Sequence, residues 1–187
     1  MADPAGTVTT MGRQVALFRG INVGGHNRIP MAELRATFVA LGHDDVTSII
    51  QSGNVCFEAA DDPSTIADAI RVAVAAAFGV DVPVLVRSAA ELAAVLAAHP
   101  FPIGEIEPKL HHVMFLADPA PADAAERIGD HSPDEYAVIG REIHVRYPGG
   151  QARSTLTNVL VDRRLGTIST ARNLPTCRKI AADLGVG

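Results

Sequence analysis

Apolar positions along this chain switch period in a recurring order. Val15-Ala16-Leu17-Phe18 is an unbroken apolar run, which fits a strand covered on both faces. A glycine-rich stretch follows. Pro30 then stands at a first helical position, and Met31, Leu34, Phe38 and Leu41 recur at helical spacing until Gly42. Val46 to Ile50 and Val55 to Phe57 are short runs rich in β-branched residues, and Gln51-Ser52-Gly53-Asn54 between them predicts a hairpin. Asp62 caps the next helix, with Pro63 at its start, Ile66, Ile70, Val74 and Phe78 on one face, and Gly79 as its stop. Val82, Val84 and Val86 alternate as a strand. A further helix opens with the capping box Ser88-Ala89-Ala90-Glu91 and ends before Pro100.

The segment Phe101 to Leu110 carries prolines and no clear period, so it reads as a linker. Beyond it the pattern returns. Val113 to Leu116 is a strand and Pro121 to Ile128 an alanine-rich helix. Tyr136 to Ile139 and Ile143 to Tyr147 form a hairpin about Gly140-Arg141, and Ser154 to Leu165 is a helix closed by Gly166. Thr170 or Asn173 then caps a last helix that runs to Gly185. The first half therefore reads β-α-β-β-α-β, the split-βαβ or ferredoxin-like order. The second repeats it with a helix where the final strand would fall. The expected fold is α+β, with two ferredoxin-like subdomains over residues 13–100 and 101–187, the second lacking its last strand and ending in helices. Met1 to Gly12 reads as a disordered tail.

The loop after the first strand carries the clearest candidate chemistry. Gly24 and Gly25 let backbone N–H groups approach a ligand, while Arg19, Asn22, Asn27 and Arg28 add side-chain donors. Such a set suits an anion, and the following helix start adds its dipole. Gln51 and Asn54 could present amides beside it if their strands are neighbours. Two polar clusters at helix starts hold further candidates: Asn158 behind Arg153-Ser154, and Arg172-Asn173 behind Thr170. Ordinary capping is the competing reading for both. There is no Walker A sequence, no dinucleotide Gly-x-Gly-x-x-Gly and no Gly-x-Ser-x-Gly elbow, so no cofactor and no nucleophile is nominated. The seven histidines are scattered, and adjacent His111-His112 on a strand would point to opposite faces, so no metal site is expected.

Charge modifies this picture. The net charge is −5, which disfavours a uniformly basic nucleic-acid binder. From Arg141 onward, however, eight basic residues face three acidic ones, a local +5 that leaves −10 on the rest. Two cysteines, Cys56 and Cys177, sit in apolar patterns and read as buried and reduced. No apolar run approaches the ~20 residues of a membrane span, so a cytoplasmic protein away from membranes is expected. The expected function is binding of a small anionic, phosphate-bearing ligand, with an enzymatic step on it left open. The alternatives are nucleic-acid binding, for which stacking aromatics are scarce, and a non-catalytic assembly module.

Arg19-Gly20-Ile21-Asn22-Val23-Gly24-Gly25, Ile29-Pro30-Met31, Gln51-Ser52-Gly53-Asn54-Val55, Leu156-Thr157-Asn158 and Thr170-Ala171-Arg172-Asn173 together resemble the bacterial family called domain of unknown function 1697. The resemblance runs from about Val15 to Leu184. It implies an α+β fold of two ferredoxin-like subdomains, in agreement with the element order. It implies no activity and so transfers no catalytic residue. Leu174-Pro175 stands where the family usually has Trp-Asn, and Thr155 where it often has Lys. If those family residues touch a ligand, this chain would hold it differently or more weakly.

Overall fold

The computed structural model describes residues 11–51, 53–60 and 62–187. Most of the expected tail therefore lies outside the described residues, as does Ser52 of the first hairpin. Within them, the first half runs β1 (Gly12–Phe18), α1 (Met31–Ala40), β2 (Asp44–Ser48), β3 (Asn54–Ala59), α2 (Pro63–Phe78), β4 (Val84–Ser88) and α3 (Ala89–Ala97). The second runs β5 (His111–Leu116), α4 (Ala124–Ile128), β6 (Glu135–Ile139), β7 (Glu142–Arg146), α5 (Asn158–Leu165), β8 (Ser169–Asn173) and α6 (Leu174–Asp183). This is a mixed α+β protein with two four-stranded antiparallel sheets, ordered β2-β3-β1-β4 and β6-β7-β5-β8. No helix among the described residues is long and apolar enough to cross a membrane.

Strand alternation makes a layered molecule. Ala16 and Phe18 of β1 face α1 and α2, in a core with Leu34, Phe38, Ile66 and Ile70. Val15 and Leu17 face the other way, into a middle layer of α3 and α6 that also receives Val113 and Phe115 of β5. Met114 and Leu116 face the third core, with Ile128, Val161 and Tyr147. Each fully buried large apolar side chain contributes about 1.5–3 kcal/mol. The middle layer draws on both halves.

The second half does not lack its last strand. Ser169–Asn173 is β8, paired along β5 from Leu116↔Ser169 to His112↔Asn173. Four of its five residues are polar, so its pattern imitates a capped helix start. It holds as a strand because those side chains find partners inside the molecule. Asn173, not Thr170, caps α6, accepting from the Thr176 N–H at 2.9 Å. Likewise α5 begins only at Asn158, capped by Thr157, while Ser154 accepts from the Leu156 N–H in the preceding turn.

Two arginines join the halves in matching ways. Arg87, fourth residue of β4, sits opposite Val15; Arg172, fourth residue of β8, sits opposite Val113. Arg87 donates to the Leu116 carbonyl at the end of β5 (2.6 Å), to the Val86 carbonyl (3.1 Å) and to Glu142, first residue of β7 (3.0 Å). Arg172 donates to the Phe18 carbonyl at the end of β1 (2.7 Å), to the Ala171 carbonyl (2.8 Å) and to the side chain of Asn54, first residue of β3.

Candidate functional site

The glycine loop is itself a small hairpin. The Val23–His26 bridge closes over Gly24 and Gly25, whose φ angles are 59° and 80°. Positive φ at both central residues is what a tight two-residue turn requires, so the glycine pair has a structural cause. Both asparagines stabilise the loop. Asn22 accepts from the Ile29 N–H (2.9 Å) and donates to the Ile29 and Gln51 carbonyls (2.9 and 3.0 Å), while Asn27 donates to the Gly20 carbonyl (3.0 Å). Gly53 packs against the loop's base: a Cβ there would meet Ile21 Cγ1 at 2.7 Å and Phe18 Cβ at 2.8 Å.

Beside this hairpin lies an open cleft of about 550 Å³, lined by Asn22, Gly25, Arg28, Gln51 and the Ile29–Met31 segment. It contains the start of α1. Pro30 occupies the cap position and no side chain caps the helix, so the first-turn N–H groups keep their partial positive charge. Arg28 is exposed and makes no ion pair among the described residues. Glu33, in the first helical turn, is the opposing charge.

The remaining sequence candidates lie elsewhere. Arg19 pairs with Asp162 of α5, and that carboxylate also accepts from Ser169 (2.6 Å), which in turn accepts from Asn158 (2.8 Å). Arg19 and Asn158 thus belong to one closed network that ties the loop's first residue to α5 and β8. Arg172 is buried, and its five N–H groups go to Asn54, Thr170, Ala171, Phe18 and Gly53, all neutral acceptors. Burial pulls its pKa down to about 10, and pushes the neighbouring Cys177 thiol up to about 12. With no donor left, Arg172 cannot clamp a ligand. Asn54 is fully buried, bridging Arg172 and the Ile49 carbonyl, and Asn173 is a helix cap.

Folding therefore does bring the loop against the C-terminal elements, but that seam is filled by its own hydrogen bonds. The open cleft collects Asn22, Gly25 and Gln51, with Gly24 in the adjoining turn. Asp162, which neutralises Arg19, carried no signal in the sequence beyond being an acid on a helix. A larger cleft of about 630 Å³ lies between α2, β4 and Ile168, but guanidiniums on its wall are already paired, Arg71 with Asp81 (2.5 Å) and Arg87 with Glu142 (3.0 Å). Among the described residues no group of His, Cys, Asp and Glu is arranged to hold a metal ion.

Comparison with solved structures finds a conserved bacterial protein, SP0830 from Streptococcus pneumoniae, at a TM-score of 0.71 and 24% identity over 94% of this chain and 99% of that one. At that identity the likeness speaks for the fold. Comparison with curated proteins finds no match. The family model described as protein of unknown function DUF1697 matches residues 11–144, which span the glycine loop, the first hairpin and most of both sheets. The chain belongs to the DUF1697 family.

Proposed function

We propose that the cleft beside Gly24 and Gly25 binds a small anionic, phosphate-bearing ligand. The observation that carries this reading is Arg28: an exposed guanidinium without a carboxylate partner among the described residues, next to an uncapped helix start. Glu33 opposes an anion there, which makes Arg28 decisive. The residues offer binding and orientation, and none is placed as a nucleophile or general base.

The basic excess near the C-terminus is half withdrawn from a nucleic-acid reading, with Arg163, Arg164, Arg178 and Lys179 left exposed. Arg146 pairs with both Glu105 (2.8 Å) and Glu135 (3.1 Å), Arg172 is interior, and Arg141 and Arg153 donate to the Ala117 and Gly149 carbonyls at 2.8 and 2.7 Å. A cytoplasmic setting is supported by two buried, unbridged cysteines. We also infer that the halves are two ferredoxin-like units related by duplication. Supporting this are the shared element order, the matching strand orders, and the equivalent registers and bonds of Arg87 and Arg172.

The test is a calorimetric titration of inorganic phosphate, pyrophosphate and nucleotides at low ionic strength. Wild type should bind at least one. Arg28→Ala should abolish binding, Glu33→Gln should tighten it, and Arg19→Ala should leave it nearly unchanged, because Arg19 is held by Asp162. Absence of heat with every phosphorylated compound would end this reading.

A further inference from the structure

Three histidines distant in sequence meet at the second sheet. His99 follows the C-terminal end of α3, His111 opens β5 and His144 lies mid-β7. His99 Nδ1 is 3.1 Å from His144 Nδ1, and His99 Nε2 is 3.1 Å from His111 Nδ1. His111 and His144 are fully buried, and the Nε2 atom of each has no hydrogen-bond partner among the described residues.

The corresponding place in the first half is fastened differently. Register sets Arg13 against His111, since each lies two residues before the valine at the strand centre, and Cys56 against His144, since each faces that valine. There the C-terminal end of α6 is tied down through Asp183, which accepts from Arg13 (2.8 Å) and Thr47 (2.7 Å). Each of the two middle-layer helices thus has its end fastened to the opposite half's sheet, α6 by an ion pair and α3 by imidazoles.

We propose that the His99–His111–His144 row is an acid-sensitive latch, which when neutral fastens the end of α3 to the second sheet and when doubly protonated releases it. Proton counting gives the reason. Three neutral imidazoles carry three N–H groups; two serve the two N···N contacts and one remains at a terminal Nε2. One added proton still leaves a single hydrogen in each contact. A second puts two hydrogens face to face in one contact and breaks it.

The surroundings also resist charge. Arg178 of α6 faces His99 and His111; Arg146 of β7 faces His111; His112 of β5 adjoins. Glu105, from the segment before β5, is the carboxylate acting on His111, and it already pairs with Arg146 (2.8 Å). Phe101 stacks edge-on to His99, with ring centroids 5.8 Å apart. Burial is the leading cause that lowers the pKa of all three imidazoles, His144 to about 4. With latched values below the free value of about 6.5, the latch holds fully above that pH and weakens as pH falls towards about 4. At pH 5 a histidine freed from a value near 4 favours the open state by about 30-fold.

Amide hydrogen exchange on the full chain at pH 7.5 and 5.0, corrected for intrinsic rates, tests this. Protection of residues 94–99 should fall at least tenfold on acidification, while that of residues 180–184, whose end is fastened without an imidazole, holds. His99→Gln keeps a donor and an acceptor without titrating, and should blunt the acid response. Equal protection of residues 94–99 at the two pH values would overturn the proposal. So would a full acid response in His99→Gln. If that variant does not fold, the wild-type comparison and an NMR titration of the three rings decide: two of them protonated with residues 94–99 still protected refutes the latch.

Discussion

Arg172 shows what one residue can do when its charge is taken inside. A buried guanidinium usually needs an anion, and its counterpart Arg87 has Glu142. Arg172 instead fills five neutral acceptors, so hydrogen bonding rather than ion pairing offsets its desolvation. Removing it should be worse than removing a surface arginine, because the buried Asn54 amide oxygen would lose its donor and the Phe18 and Gly53 carbonyls would each lose one of two, keeping the Thr170 hydroxyl (3.5 Å) and the Phe18 N–H (2.9 Å). Arg172→Met is expected to lose about 1–3 kcal/mol, read as a lower urea midpoint. A variant as stable as wild type would mean that water or repacking serves those acceptors equally well. The loss would be read in stability, not in ligand affinity, since the side chain stands apart from the open cleft.

Local chemistry sets the ends of most elements, and the caps give a prediction of their own. Ser88 and Glu91 close a reciprocal capping box on α3, with bonds of 3.2 and 2.8 Å, and Asn173 caps α6. Ser88→Ala and Asn173→Ala should each cost about 1 kcal/mol, a fall in Tm of about 2–4 °C by thermal unfolding. These were the readable parts of the chain. Asp62 before Pro63, the left-handed stop at Gly79 and the two-residue turn at Gly140-Arg141 each declare an element from a few residues. β8 was hidden because its signal is not local. Ser169, Thr170 and Arg172 look like a solvated turn until Asp162, Phe18 and Asn54, from other elements, supply their partners. The site divides along the same line. The glycine turn and Arg28 could be read directly, whereas the withdrawal of Arg19 and Arg172 into internal bonds depends on contacts more than a hundred residues away in sequence.

The whole molecule is held by exchange between its halves. The middle core takes Val15, Leu17, Cys56 and Leu85 from the first sheet, Leu92 and Val95 from α3, Val113 and Phe115 from the second sheet, Cys177 and Ile180 from α6, and Leu184 from its C-terminal cap. Separating the halves would expose this layer on both sides and strand Arg87 and Arg172 without the carbonyls they bind across the seam. Two independent domains joined by the 101–110 segment would instead unfold in two steps, each with its own midpoint. A shared layer predicts one: fluorescence-free probes such as far-UV circular dichroism and amide NMR should report coincident urea transitions for both sheets. The sharper version cuts the chain. Fragments 11–100 and 101–187 made separately should each show the narrow amide dispersion of an unfolded chain, because each lacks the opposite sheet on which its last helix packs. Mixed together, they should regain dispersed spectra at a 1:1 ratio. A fragment that folds alone would show that the reciprocal packing of α3 and α6 joins two finished domains rather than completing one.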